Sequence, residues 1–377
     1  MPFINDRLAD TERRRLETER RVEAGRDRSG ASVAEGVDAG IESRYHFDVD
    51  AIMAAIRREI LGQDDAVAAV ERMLRIVRAD ISDPHRPLHT ALFLGPTGVG
   101  KTELVRALAR SLHGDAEAFC RVDMNTLSQE HYAAALTGAP PGYVGSKEGT
   151  TLLDQERLEG SLRKPGIVLF DELEKASDEV VEALLNVFDN GLLTVASGER
   201  TYSFRNTLVF MTSNLGARRL QRDAERRQGF PGRWLLRGPQ RERQYRLVER
   251  ELLGRFAPEF VNRIDSISVF QWLDGDTLNE LVDLELARLN RRLERHRVEL
   301  HLTEAVHRQV LEAGYDRKFG ARAMRRAMRH IVEAPLAEYL LSTPNPDAGP
   351  RTLEAMPGQD SVTFRRLGVH GAVPVGA

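Results

Sequence analysis

Apolar residues are spaced along this chain in two rhythms. Short, mainly apolar runs occupy residues 91–94, 119–122, 166–170, 207–212 and 267–270, each of strand length. Between them, apolar residues recur three or four apart, the spacing of one helix face. This predicts helices over 101–112, 129–136 and 179–189. Two further helical patterns precede the first run, over 46–58 (Ile52, Ile56) and 64–80 (Val67, Val70, Leu74, Val77), joined by Ile60-Leu61-Gly62-Gln63. Strand–helix alternation of this kind predicts an α/β fold, a parallel sheet covered by helices on both faces.

After Trp272 the rhythm changes. Leu278, Val282, Leu286, Leu289 and Leu293 line one face of a helix over 276–294, and residues 303–313 and 321–341 are also helical in pattern. Residues 298–302 alternate as a strand does, and 361–364 are expected to pair with them. The pattern divides the chain into a charged leader (1–45), a large α/β domain (46–272), a small, mostly helical domain with short strands (273–368) and a loose tail (369–377). The leader is dense in arginine and glutamate and has too little apolar surface to fold alone. Residues 221–244 are arginine-rich and carry Gly-Phe-Pro-Gly, which predicts a long surface loop.

Composition narrows the class. The formal net charge is −3 although 29% of residues are charged, which argues against a uniformly basic nucleic-acid binder. A single cysteine, Cys120, excludes an intrachain disulfide framework and a cysteine-rich zinc site, and fits a reducing, cytoplasmic setting. The N-terminus lacks the apolar stretch of a signal peptide, and no apolar run approaches the length of a membrane span.

The chemistry starts where the first run ends. Gly95-Pro96-Thr97-Gly98-Val99-Gly100-Lys101-Thr102 is the pattern G-x(4)-G-K-[ST], placed after a strand and before a helix. Its glycines let backbone N–H groups turn inward around phosphate oxygens, and the helix aims its positive end at the same anion. Lys101 is expected to reach the β- and γ-phosphates of ATP, and the Thr102 hydroxyl to hold Mg²⁺. Glu103 is the next residue of this nucleotide-binding stretch. The run over 166–170 ends in Asp171-Glu172. Ligands of an open parallel sheet sit at the carboxyl ends of its strands. Asp171 is thus expected in the Mg²⁺ shell, and Glu172 as the base that activates a water. Asn214, in Thr212-Ser213-Asn214 after another strand, is placed to hold that water and the phosphate.

GPTGVGKTEL, VLFDELEKA and FRNTLVFMTSNLG together resemble the AAA+ ATPases of the Clp unfoldase and disaggregase family, in particular the second ATPase ring of its two-ring members. The resemblance runs from about Tyr45 to Leu341. It implies a three-layer sandwich with a five-stranded parallel sheet and a small helical domain. It also implies ATP hydrolysis coupled to work on proteins, and a ring, expected to be a homohexamer. By the same resemblance, Leu61 and Gly62 line the adenine pocket. Tyr143 and Val144, in Gly142-Tyr143-Val144-Gly145, form a pore loop that grips polypeptide. Arg263, in Asn262-Arg263-Ile264-Asp265, is an arginine finger that completes a neighbour's site, where guanidinium charge stabilises the transition state. Arg322, in Phe319-Gly320-Ala321-Arg322, is a second sensor reaching the same phosphate from the small domain.

The sequence departs from this family in places. It holds one ATPase module and no recognisable folded N-terminal domain, and the stretch 149–163 is longer than usual. Where peptidase-associated members carry an apolar-Gly-apolar docking tripeptide, it has Gln228-Gly229-Phe230, and an amide fits a hydrocarbon-lined pocket poorly. Peptidase docking is therefore not favoured. The expected function is an ATP-driven ring that threads, unfolds or disassembles protein substrates. One alternative is a remodelling factor dedicated to a single partner assembly, such as a secretion or phage-like apparatus. A nucleic-acid-dependent ATPase is disfavoured, because a DNA-tracking loop tip would be expected to carry Lys or Arg.

Overall fold

The computed structural model describes residues 42–127, 153–194, 201–217, 219, 240–273, 275–315, 320–343, 349–359 and 361–367, with side chains from 245 onward in the helix that begins at 240. The expected helix over 129–136, the loop bearing Tyr143 and Val144, the tripeptide 228–230, most of the leader and the tail lie outside the described residues. The chain divides into two units, 1–42 and 43–377, and the fold below is that of the second.

Five strands form the main sheet: β1 (His89–Leu94), β2 (Cys120–Asp123), β3 (Gly166–Asp171), β6 (Thr207–Ser213) and β7 (Ser266–Val269). Their order is β2-β3-β6-β1-β7, and every pairing is parallel. Every residue of the central strands β3 and β6 is buried, the mark of a sheet covered on both faces. Side chains alternate across the sheet, so the three inner strands β1, β3 and β6 feed two cores. Leu92, Val168, Phe170, Val209 and Met211 enter one; Phe93, Ile167, Leu169, Leu208 and Phe210 enter the other.

Helices α1 (Val49–Glu59), α2 (Asp64–Arg78) and α3 (Lys101–His113) cover the second core, and α4 (Gln155–Glu159), α5 (Asp178–Asn190), α6 (Gln240–Arg255) and α7 (Pro258–Asn262) cover the first. Asp48 starts α1 by accepting from the N–H groups of Asp50 (2.9 Å) and Ala51 (3.1 Å). A short hairpin, β4 (Leu192–Thr194) with β5 (Thr201–Ser203), extends from α5. The expected loop over 221–244 is shorter than its sequence suggested, because α6 begins at Gln240. Val248 and Leu252 of α6, four apart, join the core.

The small lobe holds α8 (Gly275–Leu293), α9 (Glu304–Gly314), α10 (Ala321–Met328) and α11 (Ala334–Ser342) around a sheet of β8 (Val298–Leu302), β9 (Arg351–Pro357) and β10 (Val362–Leu367). Two expectations are corrected. Residues 361–364 do not pair with β8; β10 pairs with β9, and β9 lies parallel to β8 between them. Only Leu353 and Ala355 of β9 are buried, too short an alternation to read in advance. The helix over 321–341 is not uniform either. A π-helical turn, Arg329–Glu333, separates α10 from α11. Pro335 begins α11; it lacks an N–H and its ring would clash with the carbonyl four residues back in a regular helix, and the wider turn accommodates it.

Candidate active site

The carboxyl ends of β1, β3 and β6 converge on one cleft whose opposite wall is the small lobe. At the end of β1 the chain turns sharply. Gly95 has φ 139°, and a Cβ there would lie 2.6 Å from the carbonyl oxygen of Phe270, so only glycine fits. The loop then enters α3 through Gly100, and Thr97 through Glu103 line the cleft. Gly95, Pro96 and Gly62 shape the site without lining it, whereas Leu61 lines it.

Lys101 is buried, and its Nζ donates to the carbonyls of Gly95 (2.6 Å) and Pro96 (2.7 Å) and to Oδ1 of Asn214 (2.9 Å). Burial pushes its pKa down to about 8; Glu174, Asp171 and Glu172 pull it back up and Arg322 adds to the depression. Asn214 is fixed on its other side by Glu174, whose Oε1 accepts from both the Asn214 backbone N–H and Nδ2 at 3.2 Å. A carboxylate only accepts, so the amide nitrogen faces Glu174 and the amide oxygen faces Lys101.

At the end of β3, the carboxylate of Asp171 accepts from the Thr212 hydroxyl through Oδ1 and from Arg121 Nη2 at 2.5 Å through Oδ2. The Thr212 hydroxyl in turn accepts from the Glu172 N–H at 3.1 Å. Glu172 itself adopts left-handed backbone angles (φ 58°, ψ 49°). This geometry costs an ordinary residue about 1–2 kcal/mol and is held only where the surroundings impose it. It turns the chain from β3 into the 3₁₀ turn Leu173–Lys175 and leaves Glu172 on the cleft wall.

The small lobe reaches the cleft through the start of α10. The Ala321 N–H donates to the carbonyl of Gly98 at 2.9 Å, so this helix sits directly on the phosphate-type loop. Arg322 and Arg325 line the cleft beside it. Gln63 ties the joint: its Nε2 donates to Gln271 O (3.0 Å) and Val99 O (3.3 Å), and its Oε1 accepts from the Gln271 N–H (2.9 Å).

Lys101, Thr102, Asp171, Glu172, Asn214 and Arg322 thus face one cleft. Arg263 does not line it. Its Nε pairs with Asp189 Oδ1 at 2.8 Å, and the side chain is half exposed. Its backbone is clamped to the sheet: Thr90 Oγ1 lies 3.0 Å from Arg263 O, Asp265 N–H donates to Thr90 Oγ1 (3.0 Å), and Thr90 N–H donates to Asp265 Oδ2 (2.8 Å). Arg121 and Glu174 were not anticipated. The exposed positions of β2 carried the one available signal for Arg121, and nothing in sequence spacing pairs Glu174 with Asn214.

Thr102 and Asp171 are hard oxygen donors on the same cleft, a set that fits Mg²⁺, which binds through one or two protein oxygens together with phosphates. Among the described residues no group of three or more His, Cys, Asp or Glu is arranged to hold a metal by itself. No described helix is long and apolar enough to cross a membrane.

Residues 86–267 match the family model of the AAA domain (Cdc48 subfamily), and residues 273–350 match that of the C-terminal, D2-small domain of ClpB protein. The chain is 60% identical over 354 residues to an ATP-dependent protease ATP-binding subunit-like protein, AmiB, of Pseudomonas aeruginosa, an alignment covering 93% of this chain and 95% of that one. It is 41% identical over 322 residues to an ATP-dependent protease ATP-binding subunit-like protein of Rhodococcus erythropolis, covering 85% and 91%. To the ATP-dependent Clp protease ATP-binding subunit ClpC of Staphylococcus aureus it is 42% identical over 287 residues, which are 76% of this chain and 34% of ClpC. Among solved structures, a closed-state cryo-EM reconstruction of Hsp104 with ATPγS and FITC casein matches with a TM-score of 0.69 at 29% identity, covering 84% of this chain and 51% of Hsp104.

Proposed function

This chain belongs to the AAA+ ATPases of the Clp type, and on that premise we propose that it works as a ring, a homohexamer, which uses ATP hydrolysis to unfold, thread or disassemble proteins in the cytoplasm. One observation carries the reading. A single cleft unites the phosphate loop, the Asp171–Glu172 strand end and Arg322 of the small lobe, while Arg263 stands outside it on the surface. Arg263, half exposed and held by Asp189 away from its own cleft, is free to reach the site of a neighbouring copy, the role that the family resemblance implies for it.

In that assembly the loop N–H groups and Lys101 hold the triphosphate, and the apolar residues Ile60, Leu61 and Leu273 face the base. Mg²⁺, held by Thr102 and Asp171, supplies charge neutralisation at the phosphates. Glu172 takes the proton of the attacking water. Asn214, oriented by Glu174, holds that water in line. Arg263 of one copy and Arg322 of the other stabilise charge on the transferring group. Nucleotide state then sets the angle between the lobes through the Ala321–Gly98 contact, and Tyr143 and Val144 transmit the movement to polypeptide. The Hsp104 reconstruction, which contains casein, supports a protein client. The names of the relatives reported above do not point to a factor dedicated to one apparatus.

Glu172→Gln tests the reading. ATP turnover should fall about 10²–10⁴-fold while ATP stays bound, and the variant ring should retain polypeptide in ATP and release it without. A variant that hydrolyses ATP normally, or that retains nucleic acid instead of protein, would overturn it.

A further inference from the structure

A second concavity, of about 530 Å³, adjoins the nucleotide cleft, and its composition is unlike the first. Among the described residues, those lining it are all arginine or glutamate, six of the one and three of the other. Glu59, Glu285, Arg288 and Arg325 line both cavities, so the two are continuous. The local sequence explains the arrangement. On α8, Arg288, Arg291 and Arg292 are spaced i, i+3, i+4. From α10 into the π-helical turn, Arg322, Arg325 and Arg329 are spaced i, i+3, i+7. Both spacings place guanidinium groups along one helix face, and two such tracks run from the nucleotide cleft into the groove.

Four acids reach these six arginines and do not balance them, and one of the four is Glu103 of the nucleotide cleft, which bridges Arg288 at 2.9 Å. Glu59 pairs with Arg110 (2.5 Å) and lies 3.6 Å from Arg288. Glu285, buried, shares Oε1 between Arg288 (2.9 Å) and Arg325 (3.4 Å). Glu333 is taken by Arg292. Among the described residues Arg291 and Arg329 have no acidic partner. Like charges three and four apart on a helix repel. Arranged around a concave wall, they offer what phosphate oxygens need, several forks that each donate two hydrogen bonds. The nucleotide cleft has Leu61, Leu273, Leu281 and Leu284 to receive a base; among the described residues the groove is lined by no apolar or aromatic residue.

We propose that this groove is a second anion site that takes an inorganic oligophosphate chain, a triphosphate or longer, with Arg291 and Arg329 as its principal ligands. The charge of the ligand offsets the arginine excess, and the lack of an apolar wall selects a bare phosphate chain over a second nucleotide. The site is independent of whether the protein acts as a ring.

The test is a calorimetric titration of sodium tripolyphosphate into the full chain already saturated with ATPγS, with Mg²⁺ in excess of both. One saturable event per chain is expected. Arg291→Ala and Arg329→Ala together should weaken it at least about tenfold, each alone should weaken it less, and ATPγS affinity should stay within about twofold, which also certifies the fold. Arg329→Lys, which keeps the charge and loses the fork, should fall between wild type and Arg329→Ala. The proposal is overturned by the absence of a saturable event, by binding that survives the double substitution, or by ATPγS release in step with tripolyphosphate uptake. Excess ATP filling the groove as tightly as tripolyphosphate would overturn the selection against nucleotide.

Discussion

The two walls of the nucleotide cleft are built on different physical terms. On the large-lobe wall Lys101, Asp171 and Thr212 are buried and hydrogen-bonded. Lys101 is 8% exposed, Asp171 8% and Thr212 2%, and each has named partners at hydrogen-bonding distance. That wall hangs from the ends of three parallel strands and forms when the sheet forms. The small-lobe wall offers exposed arginines, Arg322 and Arg325, and is joined to the large lobe by the Ala321–Gly98 hydrogen bond and by Arg288, which bridges to Glu103 (2.9 Å) and Glu59 (3.6 Å). One wall is made by folding; the other is delivered by docking. Phosphate affinity therefore belongs mainly to the first, and the response to what is bound belongs mainly to the second.

Lys101→Ala should break the first wall. It removes the buried charge and leaves the Gly95 and Pro96 carbonyls without their donor. ATP turnover should fall about 10²–10³-fold or more, read by phosphate release. An unchanged rate would mean that this wall does not hold the phosphates. Arg322→Ala should have a smaller and different effect. Its side chain is exposed, so thermal stability should hardly change. Loss of one charge-assisted contact in the transition state should lower kcat roughly tenfold to a hundredfold. If Arg322→Ala instead lowered stability and left kcat alone, the second wall would be structural.

The same contrast governs what could be read from the sequence. The large-lobe wall was legible because its chemistry is contiguous. Eight consecutive residues spell the loop, Asp171 and Glu172 are adjacent, and each follows a run apolar enough to identify as a buried strand. All five strands of the main sheet were foreseen within a residue or two. Other contacts of the site, in either lobe or between them, depend on residues far apart in the chain. The Arg288–Glu103 bridge of 2.9 Å spans residues 103 and 288, and Arg121 meets Asp171 across 50 positions. No spacing rule links such pairs. The strand Arg351–Pro357 escaped because its alternation holds only two buried positions, Leu353 and Ala355, on either side of Glu354. The helix Gln240–Arg255 escaped because charged residues dominate it and its few apolar positions are spread around the axis.

Gly320→Ala would test the joint between the walls, with the smallest expected effect. Gly320 has φ 49° and ψ −135°, a region open in practice only to glycine. A Cβ there would lie 2.8 Å from Gly98 O, the atom that accepts the Ala321 N–H. A methyl group must therefore push α10 away from the phosphate loop or distort the loop itself. Strain of this kind costs about 1 kcal/mol or somewhat more when the neighbours shift to relieve it. The atoms such a methyl would meet belong to Gly98 and Val99 of the phosphate loop, so the cost should appear where the lobes meet. Nucleotide affinity should drop roughly fivefold, as expected for about 1 kcal/mol, while far-ultraviolet circular dichroism stays that of the wild type. Undiminished affinity would show that the small lobe contributes nothing to holding nucleotide and that the large-lobe wall binds it alone. A drop as deep as that of Lys101→Ala would show that the loop cannot keep its shape without the small lobe, and that both walls form together.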